Sequence, residues 1–296
     1  MAPWKAKTLL LIGTAIWGAT FLFTTIGIQY CSPSLYVILR FFIALLLCVI
    51  FFRKHVFSTT KTVAKQGILL GVFFAVGFLL QTFALKYTSI GNTAFITNLC
   101  VVITPFVSYL VTRSKVKFWS KISVIIAFAG IYILTNPSAD KINIGDLLVL
   151  GSTVFWSLYI SFIQKFTAGK DTPGLNSQLV AFQFIGGLPI LIAYFLLFDL
   201  PTFYLTINTE FLVSLGFNAV MASFVVSFLQ VSVQKYTTTV NASLIFALEP
   251  IFASVISFLV LGELLTRNGF IGAGLMLLAI FVSDTLGTII QKLRRA

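Results

Sequence analysis

The sequence predicts an all-α polytopic membrane protein, with ten transmembrane helices arranged as two inverted five-helix repeats. Three observations carry that fold class. Of the 296 residues, 58% are apolar and only 9% charged, with a mean hydropathy of +1.03. No soluble domain of this size can hide so much apolar surface, so lipid must be the solvent for most of the chain. Apolar runs of about the 20 residues that a bilayer core requires recur at 8–28, 33–52, 66–85, 91–112, 118–135, 144–164, 176–198, 210–233, 239–262 and 268–288. Only short loops remain between them. Finally, the basic residues sit in alternate loops. With the N-terminus inside, 16 of the 20 fall on the inner side, from Lys5 and Lys7 through Arg53, Lys54, Arg113, Lys115, Lys165 and Lys235 to Lys292, Arg294 and Arg295. Lys86, Lys141 and Arg267 fall outside, and Arg40 lies within the second run. That is a strong positive-inside signal and puts both termini in the cytoplasm. The net charge of +12 therefore follows topology, and no nucleic-acid partner is expected.

The elements follow in order. The first run is too long for a signal-peptide core and no A-x-A cleavage site follows it, so it stands as a helix, with Trp17 at its middle. The second opens at Ser32-Pro33 and carries Arg40 about two turns from the outer surface, where snorkelling or an ion pair explains a cation as readily as substrate contact. Gly77, Gln81 and Ala84 share a face of the third. Thr97, Asn98, Thr104 and Ser108 surround an expected kink at Pro105 in the fourth. The fifth is plainly apolar. The sixth aligns Ser152, Trp156 and Tyr159; the seventh is expected to kink at Gly186-Gly187 and Pro189; the eighth aligns Ser223, Ser227, Gln230 and Gln234. In the tenth, Gly269, Gly272 and Gly274 read as close helix packing, with a homodimer contact as one use of it.

The ninth run holds the sharpest feature. Glu249 is the one acid well inside any run, and Pro250 follows it, so the carbonyl of Phe246 loses its helical partner. Asn241, Ile245, Glu249, Ala253 and Ser257 make a mostly polar or small face. A carboxylate at bilayer depth usually faces the protein interior or a wet cavity. Two readings stand: Glu249 meets a cationic substrate group or exchanges a proton, or it makes a structural bond, such as an ion pair with Arg40. Trp17, Gln81, Asn98, Trp156, Tyr159 and Gln230 are the other candidate substrate contacts, since amides and mid-helix tryptophans suit a cavity as well as a packed interface.

The halves, 1–139 and 140–296, resemble each other. Trp17 matches Trp156, Ser32-Pro33 matches Thr172-Pro173, and Lys86-Tyr87-Thr88 with Asn92 recurs 149 residues later as Lys235-Tyr236-Thr237 with Asn241. Pro105 and Pro250 fall in corresponding helices, about one turn out of register. Five spans per copy is an odd number, so the second copy is inserted upside down. Such repeats are a common transporter design.

At this point the chain resembles the drug/metabolite transporter superfamily, in its ten-helix EamA-type branch. The resemblance rests on IWGATF at Ile16–Phe21, SPSLYVILRF at Ser32–Phe41, ALKYTSIGNTAFITNLCVVITPF at Ala84–Phe106, GDLLVLGSTVFWSLY at Gly145–Tyr159, and KYTTTVNASLIFALEP with LGE across Lys235–Glu263. It implies a permease with a central cavity between the halves, working by alternating access on amino acids, other metabolites or drugs. The first helix lacks the acid that small four-helix relatives carry there, so their proton-coupling scheme does not transfer.

The function expected is secondary-active transport of a small organic solute, an amino acid or related metabolite, with export as the direction and uptake as the alternative. No Walker sequence is present, so a gradient must supply the energy. An intramembrane enzyme would need paired acids, a metal cluster or a nucleophile with its base at one depth, which one acid and no intramembrane histidine do not supply. A non-transporting scaffold or sensor remains the reading of another class. Cys31, Cys48 and Cys100 read as buried thiols with no disulfide or metal spacing, and His55 as a solvated loop residue, so no cofactor is expected. The expected partners are a small-molecule substrate and the lipid bilayer, and the expected location is the cytoplasmic membrane of a bacterium.

Overall fold

The computed structural model describes residues 1–88, 90–113, 115–135, 142–261 and 267–283. The charges of Lys141, Lys292, Arg294 and Arg295, and the acids Glu263 and Asp284, lie outside the described residues. The chain forms ten apolar helical units: α1 (Pro3–Tyr30), α2 (Pro33–Phe57), α3 (Lys61–Ala84), α4 (Ile90–Asn98 and Cys100–Thr112), α5 (Phe118–Thr135), α6 (Ile144–Thr167), α7 (Leu175–Thr202), α8 (Thr209–Tyr236), α9 (Thr239–Phe246 and Glu249–Leu261) and α10 (Arg267–Phe281). Nine are long and apolar enough to cross a membrane, and α10 has 15 described residues. Among the described residues the only extended pairing is one bridge, Cys31 with Leu205, where the α7–α8 loop meets the α1–α2 turn.

Local chemistry sets the helix starts. Pro3 and Pro33 open α1 and α2, where a missing N–H is no loss. Side-chain oxygens of Thr60, Asn208 and Thr238 cap α3, α8 and α9, and Asn143 with Asp146 forms a reciprocal capping box on α6.

The most extensive helix contacts all join one repeat to the other: α3 with α7, α5 with α10, α3 with α6, α2 with α7, and α4 with α6. Exchanging the repeats maps this set onto itself, because α2 also packs on α8, α1 on α8, and α1 on α9. The halves are intertwined rather than adjacent. The largest apolar cluster, with Phe41, Phe74, Phe184, Leu70 and Leu179 fully buried, is shared by α2, α3 and α7.

The backbone corrects the kinks expected at Pro105 and Pro189, whereas α9 does break beside Pro250, after Phe246. In α4 the break is at Leu99, well before Pro105, and the helix runs on through Pro105 to Thr112. In α9 the break is at Ala247 and Leu248, and Pro250 is the second residue of the new half-helix. Each break is a 3₁₀ tightening with the same bonds: Leu99 N–H to the Ile96 carbonyl and Leu248 N–H to that of Ile245, both 3.1 Å, then Val102 to Leu99 and Ile251 to Leu248, both 2.9 Å. The two breaks are 149 residues apart, so they are in register although the prolines are not. Pro189 lies inside the unbroken stretch Leu175–Tyr194. Its neighbours Gly186 and Gly187 serve contact rather than bending: a Cβ at Gly187 would lie 3.2 Å from the Gly71 carbonyl oxygen of α3, and one at Gly186 would strike the Ile68 backbone. Gly272 likewise packs inside the chain, against Gly130 and Leu134 of α5, whereas Gly274 faces open space.

Candidate functional site

A cavity of about 70 Å³ lies where α1, α3, α4, α6, α8 and α9 converge. At roughly 10–15 Å³ of such space per water it holds a few waters, or a small solute in their place. All seven residues singled out as substrate contacts border it: Trp17, Gln81, Asn98, Trp156, Tyr159, Gln230 and Glu249.

Each is positioned by its helix. In α1, Gly18 lets the backbone press onto α9, since a Cβ there would lie 2.8 Å from Phe252 Cβ and 3.0 Å from the Glu249 carbonyl oxygen. That contact brings Trp17 to the cavity, where it packs edge-on to Phe246 with centroids 5.2 Å apart. Its indole N–H donates to the Ala222 carbonyl at 3.3 Å. Ala222 belongs to a π-helical stretch of α8, Phe217–Val225, a departure from regular hydrogen bonding that frequently marks functional sites. Across the cavity Gly77 leaves room for the Trp156 ring, 3.1 Å from where a Cβ would be, and Phe78 packs edge-on to it at 4.8 Å.

Polar groups fill the remaining wall. Gln81 Nε2 donates to Thr97 Oγ1 at 2.9 Å, Asn98 Nδ2 to the Ala94 carbonyl at 2.8 Å, the Tyr159 hydroxyl to Gln183 Oε1 at 2.8 Å, and Gln230 Nε2 to Gln234 Oε1 at 3.0 Å. The Trp156 indole N–H and Gln230 Oε1 are buried without a partner. Glu249 is half-buried at the first residue of its half-helix, where backbone N–H groups and the helix dipole attract a carboxylate.

The expected ion pair of Glu249 with Arg40 is not formed. Arg40 Nε donates to Ser223 and its guanidinium lies over the Phe78 ring, 4.2 Å from the centroid, while Glu249 has no hydrogen-bond or ion-pair partner among the described residues. Other expected polar faces serve packing: Ser152 bonds within its own helix, Thr104 bonds Ser157, and Gln234 Nε2 reaches the Ile160 carbonyl. No group of three His, Cys, Asp or Glu residues among the described ones could hold a metal. Cys31 and Cys48 are free and buried, and Cys100 borders the cavity.

Sequence reading passed over Thr20, Phe78, Cys100 and Phe246 as principal contacts, and the repeat offsets would have found three of them. Trp17 and Trp156 are 139 residues apart, as are Thr20 and Tyr159; Gln81 and Gln230 are 149 apart, as are Thr97 and Phe246, and Cys100 and Glu249. These five pairs, one member from each repeat, place the cavity between the repeats, while Phe78, Val101, Ile160 and Ser243 border it without a mate in the wall. The paired lining is symmetric in place and asymmetric in chemistry, because a thiol in one repeat stands where the other has a carboxylate.

Comparison with known proteins bears on this arrangement. The profile of the EamA-like transporter family matches residues 4–136 and 143–283. An uncharacterized transporter of Archaeoglobus fulgidus is 34% identical over 267 residues, covering 90% of this chain and 82% of that protein. Two Bacillus subtilis proteins, the uncharacterized transporters YyaM and YoaV, are 27% and 22% identical, covering 93% and 91% of this chain and 92% and 93% of their own. A solved crystal structure with 15% identity superposes at a TM-score of 0.79 over 97% of this chain and 98% of its own, a likeness of fold.

Proposed function

The chain belongs to the EamA-like transporter family, and from that premise we propose that it is a secondary-active carrier of small organic solutes, an amino acid or related metabolite, moved outward by alternating access. One observation carries the proposal: a carboxylate without a partner among the described residues faces a cavity whose other walls are amides and aromatic rings from both repeats. Glu249 supplies the charge that meets an ammonium group or carries a proton. The Gln81, Asn98 and Gln230 amides replace hydration, and Trp17, Trp156 and Tyr159 enclose the apolar part. The in-register breaks at Leu99 and Leu248 give each repeat a half-helix that can tilt while the other holds, so the cavity opens to one side at a time.

In this reading residues 1–139 and 140–296 act as the two structural halves. Both termini lie in the cytoplasm of a bacterium, as the basic loops favour. The test is counterflow of a radiolabelled amino-acid panel in proteoliposomes. Wild type should carry at least one member with a pH-dependent rate, and Glu249→Gln, inserted and folded as wild type, should lose that transport. Unchanged transport and pH dependence in Glu249→Gln would sink the role given to this carboxylate.

A further inference from the structure

We propose that Arg40 is the subsite for a carboxylate of the transported solute, set behind Phe78 at one end of the cavity, so that the solute is a zwitterion held between Arg40 and Glu249. The inference rests on the carrier reading above and deepens it.

Arg40 is 1% exposed, so it cannot snorkel to a membrane surface. No acid pairs with it among the described residues; Asp171, at the other end of α8, pairs with Lys235 instead. Its Nε donates to Ser223, but Nη2 is buried with no acceptor. A buried guanidinium with neither counter-charge nor a full set of acceptors is expensive, and a membrane protein keeps such a group where it serves a ligand or a pathway. Ser223 alone would be satisfied by a neutral amide at position 40.

Two contacts tie this cation to the cavity. Phe78, whose face covers the guanidinium, is itself a cavity wall. Ser223 and Ala222, neighbours in the π-helical stretch of α8, hold Arg40 and the Trp17 indole respectively, so one backbone irregularity fixes both the subsite and the wall. One turn nearer the starts of α2 and α8, Asn218 Nδ2 donates to the Tyr36 hydroxyl at 2.7 Å and leaves its own Oδ1 buried and unpartnered, which continues the polar track along α8. When the solute binds, the Phe78 ring, which separates the guanidinium from the cavity, must turn aside. A guanidinium edge matches the two oxygens of a carboxylate, while Glu249 answers the ammonium.

The test uses purified wild-type protein in nanodiscs and isothermal titration with three matched sets: alanine, ethylamine and propionate; leucine, isopentylamine and 4-methylpentanoate; phenylalanine, phenethylamine and 3-phenylpropionate. In at least one set the amino acid should bind about tenfold or more tighter than its decarboxylated amine. Arg40→Gln should bring that ratio to about one without changing the affinity of the amine, and Arg40→Lys should restore part of it. An amino acid and amine that bind wild type equally would overturn the subsite and leave the carrier reading standing, as would a ratio that survives Arg40→Gln. Binding of no amine and no amino acid to wild type would overturn the substrate class and the subsite together. The wild-type ratio decides even where Arg40→Gln fails to fold.

Discussion

Replacing Gly71 with alanine should drive α3 and α7 apart. The added methyl carbon would sit 2.1 Å from the Gln183 carbonyl oxygen and 2.8 Å from the Gly187 nitrogen. Both obstacles are backbone, so no side chain can swing away. Ordinary contact of about 3.5 Å would require the helices to part by roughly 1.4 Å, and a gap of that size forfeits about half the dispersion energy of the atoms it separates. The atoms at stake include Leu70, Phe74, Leu179 and Phe184, all fully buried. Overpacking costs about 1–3 kcal/mol, and a backbone obstruction belongs at the upper end. Alanine offsets this by about 0.5–1 kcal/mol, because glycine is the poorer helix former. The net expectation is a loss of about 2 kcal/mol, or roughly 5 °C in apparent melting temperature at a fixed scan rate. Gly274→Ala supplies the control: its methyl would meet nothing within 4 Å, so only the helix gain remains. Melting followed by tryptophan fluorescence in one detergent compares the pair. Equal stability of the two variants would refute the reasoning.

Tyr159→Phe should cost about 1–3 kcal/mol, because it strands Gln183, whose Nε2 already lacks a partner, and adding Gln183→Leu should recover most of that loss; equal melting temperatures of Tyr159→Phe and wild type would count against the bond. In the α7 approach loop, the hydrogen bond and charge of Lys235 hold the Asp171 carboxyl below its usual range. With the folded-state value depressed, the stabilisation is present above the ordinary carboxylate value and fades as pH falls through the folded one. Melting curves recorded across the acid range should therefore show a fall in wild type that Asp171→Asn lacks, and because the Asp171 carboxylate is open to solvent, 1 M salt should shrink the difference.

The spans and the cavity residues were legible in the sequence because lipid imposes strong constraints. An amide or acid in a 20-residue apolar run must turn inward, so Gln81, Gln230 and Glu249 could be assigned to the interior by type alone. The α9 break was legible, because Pro250 deprives the Phe246 carbonyl of its helical partner. The α4 break was not: nothing in the residue type of Leu99 marks a 3₁₀ step, whereas Pro105 and Pro189 advertise bends that the surrounding helix absorbs. Phe78 was hidden among 32 phenylalanines. The separation of Arg40 from Glu249 depends on how α2 and α8 pack, which the sequence of neither helix states. The π-helical stretch that holds Ser223 and Ala222 has no residue signature in Phe217–Val225.

The exchange of partners between repeats has a consequence for synthesis. When α5 leaves the ribosome, α3 still lacks α6 and α7, α1 lacks α8 and α9, and α5 lacks α10. Five inserted helices must wait in the bilayer with their small-residue faces and buried amides open to lipid until the second half arrives. Assembly is therefore a late event. A pause between Thr135 and Ile144 lengthens the time during which the nascent chain is exposed to membrane proteases, whereas a delay after α9 leaves only the α10 contacts unmade.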